Sequence, residues 1–273
     1  MLYHYTDFKA FDGIIRCAEL RLNNILNMND TAEMRLFMHG MCNTVLERLN
    51  GAENQLLHGK IEHYFSEELK KEFNYSAYAA CFSKYRDDAA QWERYGNFGQ
   101  GVCIGFHEEL LERMVGGAIS LREVYYQEDM REHQLVNQIC DIFETDKDFD
   151  KGLPQLKAAM NEAWIQSAAF KHPSFSSEKE VRLVVSPSIT NDFLVEPKYH
   201  AYVDRIKKYY PLDLNKMCGK LNMHLSDLIG EIIIGPTSPQ SLPILEDFID
   251  DCGLNVLKER THLSSCPLRK PTT

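Results

Sequence analysis

Apolar residues recur along this chain with two periods, and the changes between them mark its elements. Residues 1–6, "MLYHYT", read as a short strand. Phe8, Phe11, Ile14 and Ile15 then fall at helical spacing, which predicts a helix over 7–17. "ELRLNN" predicts a second short strand. Asp30 stands where a helix cap belongs, with Glu33 at the capping-box position. Met34, Met38, Met41, Val45 and Leu49 follow every three or four residues, the buried stripe of a long helix. Another helix is predicted over 54–73. "AYAACFS" (77–83) and "GVCIGF" (101–106) are short apolar runs with polar ends, hence strands. Between them, "DDAAQWERYG" predicts a helix begun by Asp87 and stopped by Gly96. "AISLREVYY" (118–126) predicts a strand, residues 129–171 a largely helical stretch, and 181–186, 193–196 and 231–235 further strands. A last helix is predicted over 239–252. Strands and helices interleave without the regular alternation of a doubly wound sheet. The expectation is α+β: one domain over 1–273, with a mixed, largely antiparallel sheet and a helical insertion at about 129–171.

Composition narrows the chemistry. Of the 273 residues 44% are hydrophobic, enough for a sizeable core. A net charge of -10 disfavours non-specific attraction to nucleic acid. No run of about 18 apolar residues appears, so no membrane span is expected. The start "MLYHYTDF" lacks the basic and apolar regions of a signal peptide. The eight cysteines form no C-x-x-C pair, which argues against a zinc ribbon and for reduced thiols in the cytoplasm. The histidines make no H-E-x-x-H pattern, and neither a nucleophile elbow nor a phosphate loop occurs. No metal is expected.

Three stretches remain as candidate chemistry. In "LYHYT", alternation puts His4 and Thr6 on one face of the strand and Tyr3 and Tyr5 on the other. His4 and Thr6 then present two hydrogen-bonding groups to one ligand, unless His4 is an ordinary half-buried histidine bonded to a backbone carbonyl. Further on, Ser83 ends a strand, and Trp92 and Tyr95 are three apart on one helical face. They make either an aromatic wall for a flat ligand or part of the core. "GNFGQG" lacks the order of a dinucleotide fingerprint and reads as a turn. The third stretch is "SEKEVRLVV", where Glu178, Glu180 and Arg182 point one way if all three are in a strand. Such a group is either a modest ion pair or a fixed anion poised to stabilise a developing cation.

Taken in order, "LYHYT", "LRLNN…MND", "CFS…W..YG…GVCIGF", "KHPSF..EKEVRLV", "IIIGP" and "LSSCPLR" resemble the bacterial DUF2971 family of uncharacterised proteins, from residue 2 to about 269. More distantly, "LYHYTDFKAFDGIIRCAELR" resembles the opening of ADP-ribosyltransferase-like proteins, which begin with a strand carrying His-x-Thr, a helix and a second short strand. This resemblance implies an ADP-ribosyltransferase-like fold and an NAD-dependent enzyme, of the kind found among toxins and defence effectors, with NAD as substrate. His4 and Thr6 match the first element, Ser83 the second, and Glu178-Lys179-Glu180 the E-x-E pair. The implied roles are catalysis by Glu180 and Glu178, with His4, Thr6, Ser83, Trp92, Tyr95 and Arg182 around NAD. Glu180 would stabilise an oxocarbenium-like state, and Glu178 would receive the acceptor's proton. The chain has His4 in place of the arginine of the arginine-modifying branch, and no clear Ser-Thr-Ser. The acceptor is open: protein, nucleic acid or a small molecule. Two other readings stay open beside it, a non-enzymatic ligand-binding or protein-interaction module, and a carboxylate-dependent hydrolase or nuclease.

Overall fold

A computed structural model describes residues 1–25, 33–51, 54–70, 77–116, 119–126, 129–185, 193–201 and 205–269. By its contacts the chain falls into two compact units. The first is built from residues 1–23, 78–123 and 177–273, the second from 24–77 and 124–176. The helical insertion expected at 129–171 is therefore half of the second unit, and the helices of 24–77 supply the rest.

The first unit holds the sheet. Its chain order begins β1 (Leu2–Thr6), α1 (Phe8–Cys17) and β2 (Glu19–Asn24). Asp7 caps α1 by accepting the Ala10 N–H at 2.7 Å. Phe11, Ile14 and Ile15 are buried, as the helical spacing requires. After the second unit's α2 (Glu33–Arg48) and α3 (Gln55–Leu69) come β3 (Tyr78–Ser83), α4 (Ala89–Arg94), β4 (Val102–Phe106), α5 (Glu108–Met114) and β5 (Ile119–Glu123). The second unit's α6 (Gln134–Thr145) and α7 (Phe149–Ser167) follow. The chain then returns as β6 (Glu180–Val185), β7 (Lys198–Ala201), β8 (Ile206–Asp213), α8 (Leu214–Lys220), α9 (Leu225–Leu228), β9 (Ile229–Ile234), α10 (Leu242–Asp251) and β10 (Thr261–Leu263).

Among the described residues ten strands form one sheet. Its main path runs β10-β9-β4-β1-β3-β2-β8-β7, and β6 joins β3 to β5. Only β9 and β10 pair in parallel among the registers described, so the sheet is mixed and mostly antiparallel, and the fold is α+β. One sheet face carries the larger core, including Leu2, Phe82, Ile104, Val181, Leu183 and Ile232. The other carries a smaller cluster of Tyr3, Tyr5, Trp92, Cys103 and Ile233.

Several expectations need correction. The strand expected at 193–196 is a single bridge, Leu194 to Leu212, and the strand proper lies at Lys198–Ala201. β8 carries no strand signature in sequence, because Pro211 interrupts it and charged residues crowd it. Pro211 nevertheless pairs with Arg21, and its carbonyl accepts the Val195 N–H at 2.9 Å. The expected helix begun by Asp87 is shorter: Asp88 caps it, accepting the Gln91 N–H at 3.0 Å, while Asp87 sits outside at φ 52°. Asp30 and the side chain of Glu33, the expected capping box of α2, lie outside the described residues.

In the second unit α2 packs on α3, α6 and α7. Met34, Met38, Met41, Val45 and Leu49 are all buried, the stripe read from sequence. Among the described residues no helix is long and apolar enough to cross a membrane.

Candidate functional site

The strand ends of the first unit place the candidate residues. β1 runs against β4 over its whole length but meets β3 at only one pair, Tyr3 opposite Ser83. β3 in turn runs against β6, with Ser83 opposite Glu180 and Cys81 opposite Arg182. Directly opposed residues of an antiparallel pair share a face, and successive residues alternate. Tyr3, Tyr5, Cys81, Ser83, Glu180 and Arg182 therefore share one face. His4 and Thr6 belong to the other, with Phe82 and Val181.

The expected convergence of His4 with Ser83 and Glu180 is corrected by this register. The His4 ring lies 5.7 Å from that of Phe82, and its Nδ1 is 2.8 Å from the Cys81 carbonyl. Burial pushes its pKa below the usual value, so the ring is neutral and Nδ1–H donates to the carbonyl. This is the structural role weighed in the sequence, a histidine spent on a backbone acceptor. It joins β1 to β3 beyond their single pair. Thr6 is buried on the same strand face as His4.

Glu180 and Arg182 form a buried ion pair, Nε to Oε1 at 2.8 Å and Nη2 to Oε2 at 3.1 Å. The two side chains are 7% and 2% exposed. Glu178 does not continue their strand. It ends a short 3-10 segment, and Lys179 between them has φ 44°, which breaks the alternation that placed both glutamates on one strand face. Glu178 turns to α4 instead: its Oε1 accepts from Arg94 Nη1 at 2.7 Å and from the Tyr95 hydroxyl at 3.1 Å. Its carbonyl accepts from Ser83 Oγ at 2.8 Å and Gln91 Nε2 at 3.3 Å. Ser83 thus holds the backbone of Glu178 and places it near the head of β6.

Trp92 and Tyr95 do not form a wall together. Trp92 is fully buried, edge-on to Tyr5 at 4.9 Å, and its indole N–H donates to Asp87 Oδ1 at 2.7 Å. The glycines of "GNFGQG" serve this packing. A Cβ on Gly96 would overlap the Trp92 ring, and one on Gly101 would overlap the Thr6 carbonyl.

A second polar cluster on the Tyr3 face has no counterpart among the sequence candidates. Glu231, at 10% exposure, accepts from the Tyr3 hydroxyl at 3.1 Å. It accepts from Arg86 Nε at 2.9 Å and Nη2 at 2.9 Å, and lies 2.8 Å from His262 Nε2. Burial would raise its pKa, but the hydrogen bonds from Arg86, His262 and Tyr3 together with the Arg86 charge outweigh that and hold it low. Burial and the Glu231 charge push Tyr3 up to about 12. Beside this cluster, Asp87 accepts from Trp92, from the Ser264 hydroxyl and from both the N–H and hydroxyl of Ser265. Burial opposes the low pKa of Asp87, and these hydrogen bonds outweigh it. Residues 3, 86, 231 and 262 are too far apart for any spacing rule. The available signal was the lone charge in "IGEIII", since a carboxylate inside a buried strand needs a partner.

Arg86 and Arg94 are 47% and 43% exposed, each anchored to a buried carboxylate. The face thus presents guanidinium groups outward over carboxylates held inside. Among the described residues, no three His, Cys, Asp or Glu side chains are grouped as a metal would need.

No curated protein and no solved structure matches the chain. A family model does match, over a narrower span than the resemblance read along residues 2–269. That span takes in Trp92, Arg94, Tyr95, Glu178, Glu180 and Arg182, and it leaves out β1 and Ser83. Residues 91–183 match DUF2971, described as a protein of unknown function, the family that the sequence resembles.

Proposed function

We propose that the first unit is an NAD-dependent ADP-ribosyltransferase-like enzyme with Glu180 as its stabilising carboxylate. The observation that carries the reading is the row Tyr3, Ser83 and Glu180, in register across β1, β3 and β6 where β1 and β3 part. A strand bearing His-x-Thr, a strand ending in serine and a strand opening with glutamate are thereby neighbours. Arg182 aims Glu180 through two hydrogen bonds, Nε to Oε1 and Nη2 to Oε2. In the proposed reaction the bond from ribose C1′ to the nicotinamide nitrogen breaks, and its electron pair leaves with nicotinamide. The acceptor's nucleophile bonds C1′ and gives its proton to solvent, since Glu178 is turned to Arg94 and Tyr95. Glu180 offsets the positive charge that develops on the ribose. Arg86 and Arg94 suit the phosphates of NAD. His4 and Thr6 act from behind, holding β1.

A second reading is binding without turnover, by the same face. The observation favouring it is that Glu180 is committed to Arg182 on both oxygens while the arginines over Glu231 and Glu178 stay half-exposed.

The test measures NAD binding by calorimetry and nicotinamide release in the presence of cell lysate as acceptor source. The enzyme reading expects wild type to do both, and Glu180→Gln to bind NAD while losing roughly 30- to 1000-fold in release. NAD binding with no release by wild type selects the binding module. A wild type that does neither sinks the enzyme reading and leaves the binding module ahead.

A further inference from the structure

The second unit contains a cavity of about 630 Å³ that the reading above does not use. One wall is the outer face of α2. Arg35, His39 and Asn43 follow one another at intervals of four, so they stand in one stripe, with Leu36 and Gly40 beside them. Met130, Phe170, His172 and Pro173 complete the lining. Gly40 lets α2 come close here, because a Cβ on it would lie 3.3 Å from Met130 Cγ. Phe170 belongs to a group of rings that braces the cavity's inner side: Phe37 lies at 5.4 Å, Tyr125 at 6.4 Å, and His133 touches both Phe37 and Tyr125. The strand-like bridge of Tyr125 with Phe170 fixes that group from the backbone.

The lining has a consistent chemistry. It joins an arginine, two histidines and an asparagine to Leu36, Met130, Phe170 and Pro173, and no carboxylate occurs among its described residues. His172 Nδ1 accepts the Ser174 N–H at 3.2 Å, which leaves the ring's proton on Nε2. Donors grouped on one wall with apolar and aromatic surface opposite are what an anion with a flat or apolar body requires. The volume is in the range of small-molecule sites.

We infer that this cavity is a binding site for a small organic anion with a planar body, of the nucleoside monophosphate class. The anionic group meets Arg35 and His39 on α2, and the planar body lies against Met130 and Phe170. The site is independent of the NAD reading, since every residue of it is in the second unit.

The experiment titrates the full chain with AMP by calorimetry, and with adenosine and inorganic phosphate as the two halves of that probe. Leu36 is 47% exposed, so Leu36→Asp places a carboxylate in the lining at little risk to the fold, and Leu36→Asn is its uncharged control. AMP should bind more tightly than either half. Leu36→Asp and His39→Ala should each weaken it by roughly tenfold, and Leu36→Asn should leave it nearly unchanged. Absence of AMP binding, adenosine binding as tightly as AMP, or AMP binding that ignores Leu36→Asp would each overturn the assignment. The readout at Leu36 also separates it from NAD binding, which depends on the first unit.

Discussion

Glu180 and Arg182 alternate correctly for neighbours on one strand face, and the sequence showed that much. What it did not show is that both are inside. A buried ion pair contributes little relative to an apolar pair, yet breaking it from one side leaves an uncompensated charge. Glu180→Gln should therefore destabilise the protein by about 3–5 kcal/mol, besides any effect on turnover. Glu180→Gln/Arg182→Met removes both charges and should recover most of that loss. Urea melts of the three proteins check this, and a Glu180→Gln protein as stable as wild type would mean that the pair is solvated. The double variant also sharpens the functional test, because a folded protein without Glu180 should still fail to release nicotinamide. His4 shows the opposite case. Its face was legible from alternation, but which face carries the site depends on the pairing of Tyr3 with Ser83, and pairing is a tertiary fact.

α4 is six residues long, too short to be stable by its own hydrogen bonds. Its place depends on its surroundings: Asp88 caps it, the Asp88 N–H donates to the Tyr5 hydroxyl at 3.0 Å, and Trp92 fills the small core. Through Arg94 the same element reaches Glu178. Asp88→Ala should cost about 1 kcal/mol as a lost cap. Gly101→Ala should cost more, about 1–3 kcal/mol, because the added methyl meets the Thr6 backbone, which cannot rotate away. Thermal melts rank the two, and an Asp88→Ala cost above that of Gly101→Ala would contradict this account. The helices α1 and α2 were legible because each buries a stripe at helical spacing, whereas α6 and α7 were legible only as one helical stretch. α4 was legible as a helix but not in its cap, because Asp87 and Asp88 are chemically equivalent until the chain bends at Asp87.

Across the whole molecule, stability should depend on acid through Glu231 and Asp87. Both are held below their ordinary values of 4.5 and 3.8 in the folded state. A depressed folded pKa adds stability above the unfolded value, and that stability is lost as pH falls through the folded one. The stability difference between wild type and Glu231→Gln should thus be full near about pH 7 and shrink below about pH 4. Tyr3 runs the other way. Raised to about 12, it contributes below the ordinary tyrosine value near 10, and that contribution is lost as pH rises toward 12. Denaturant melts across pH check both limbs. A difference that grows toward low pH would refute the assignment to Glu231.

By itself the sequence determined the α+β class, most element positions and the faces of β1, α1 and α2. These follow from periods of two and 3.6, and from a solvent that penalises exposed apolar stripes. Only the tertiary structure decided that β8 is a strand despite Pro211, that Lys179 turns Glu178 away from Glu180, and that Tyr3, Arg86, Glu231 and His262 meet. Each of these depends on which distant segments pair, and local periodicity carries no information about partners that lie 145 or 228 residues apart.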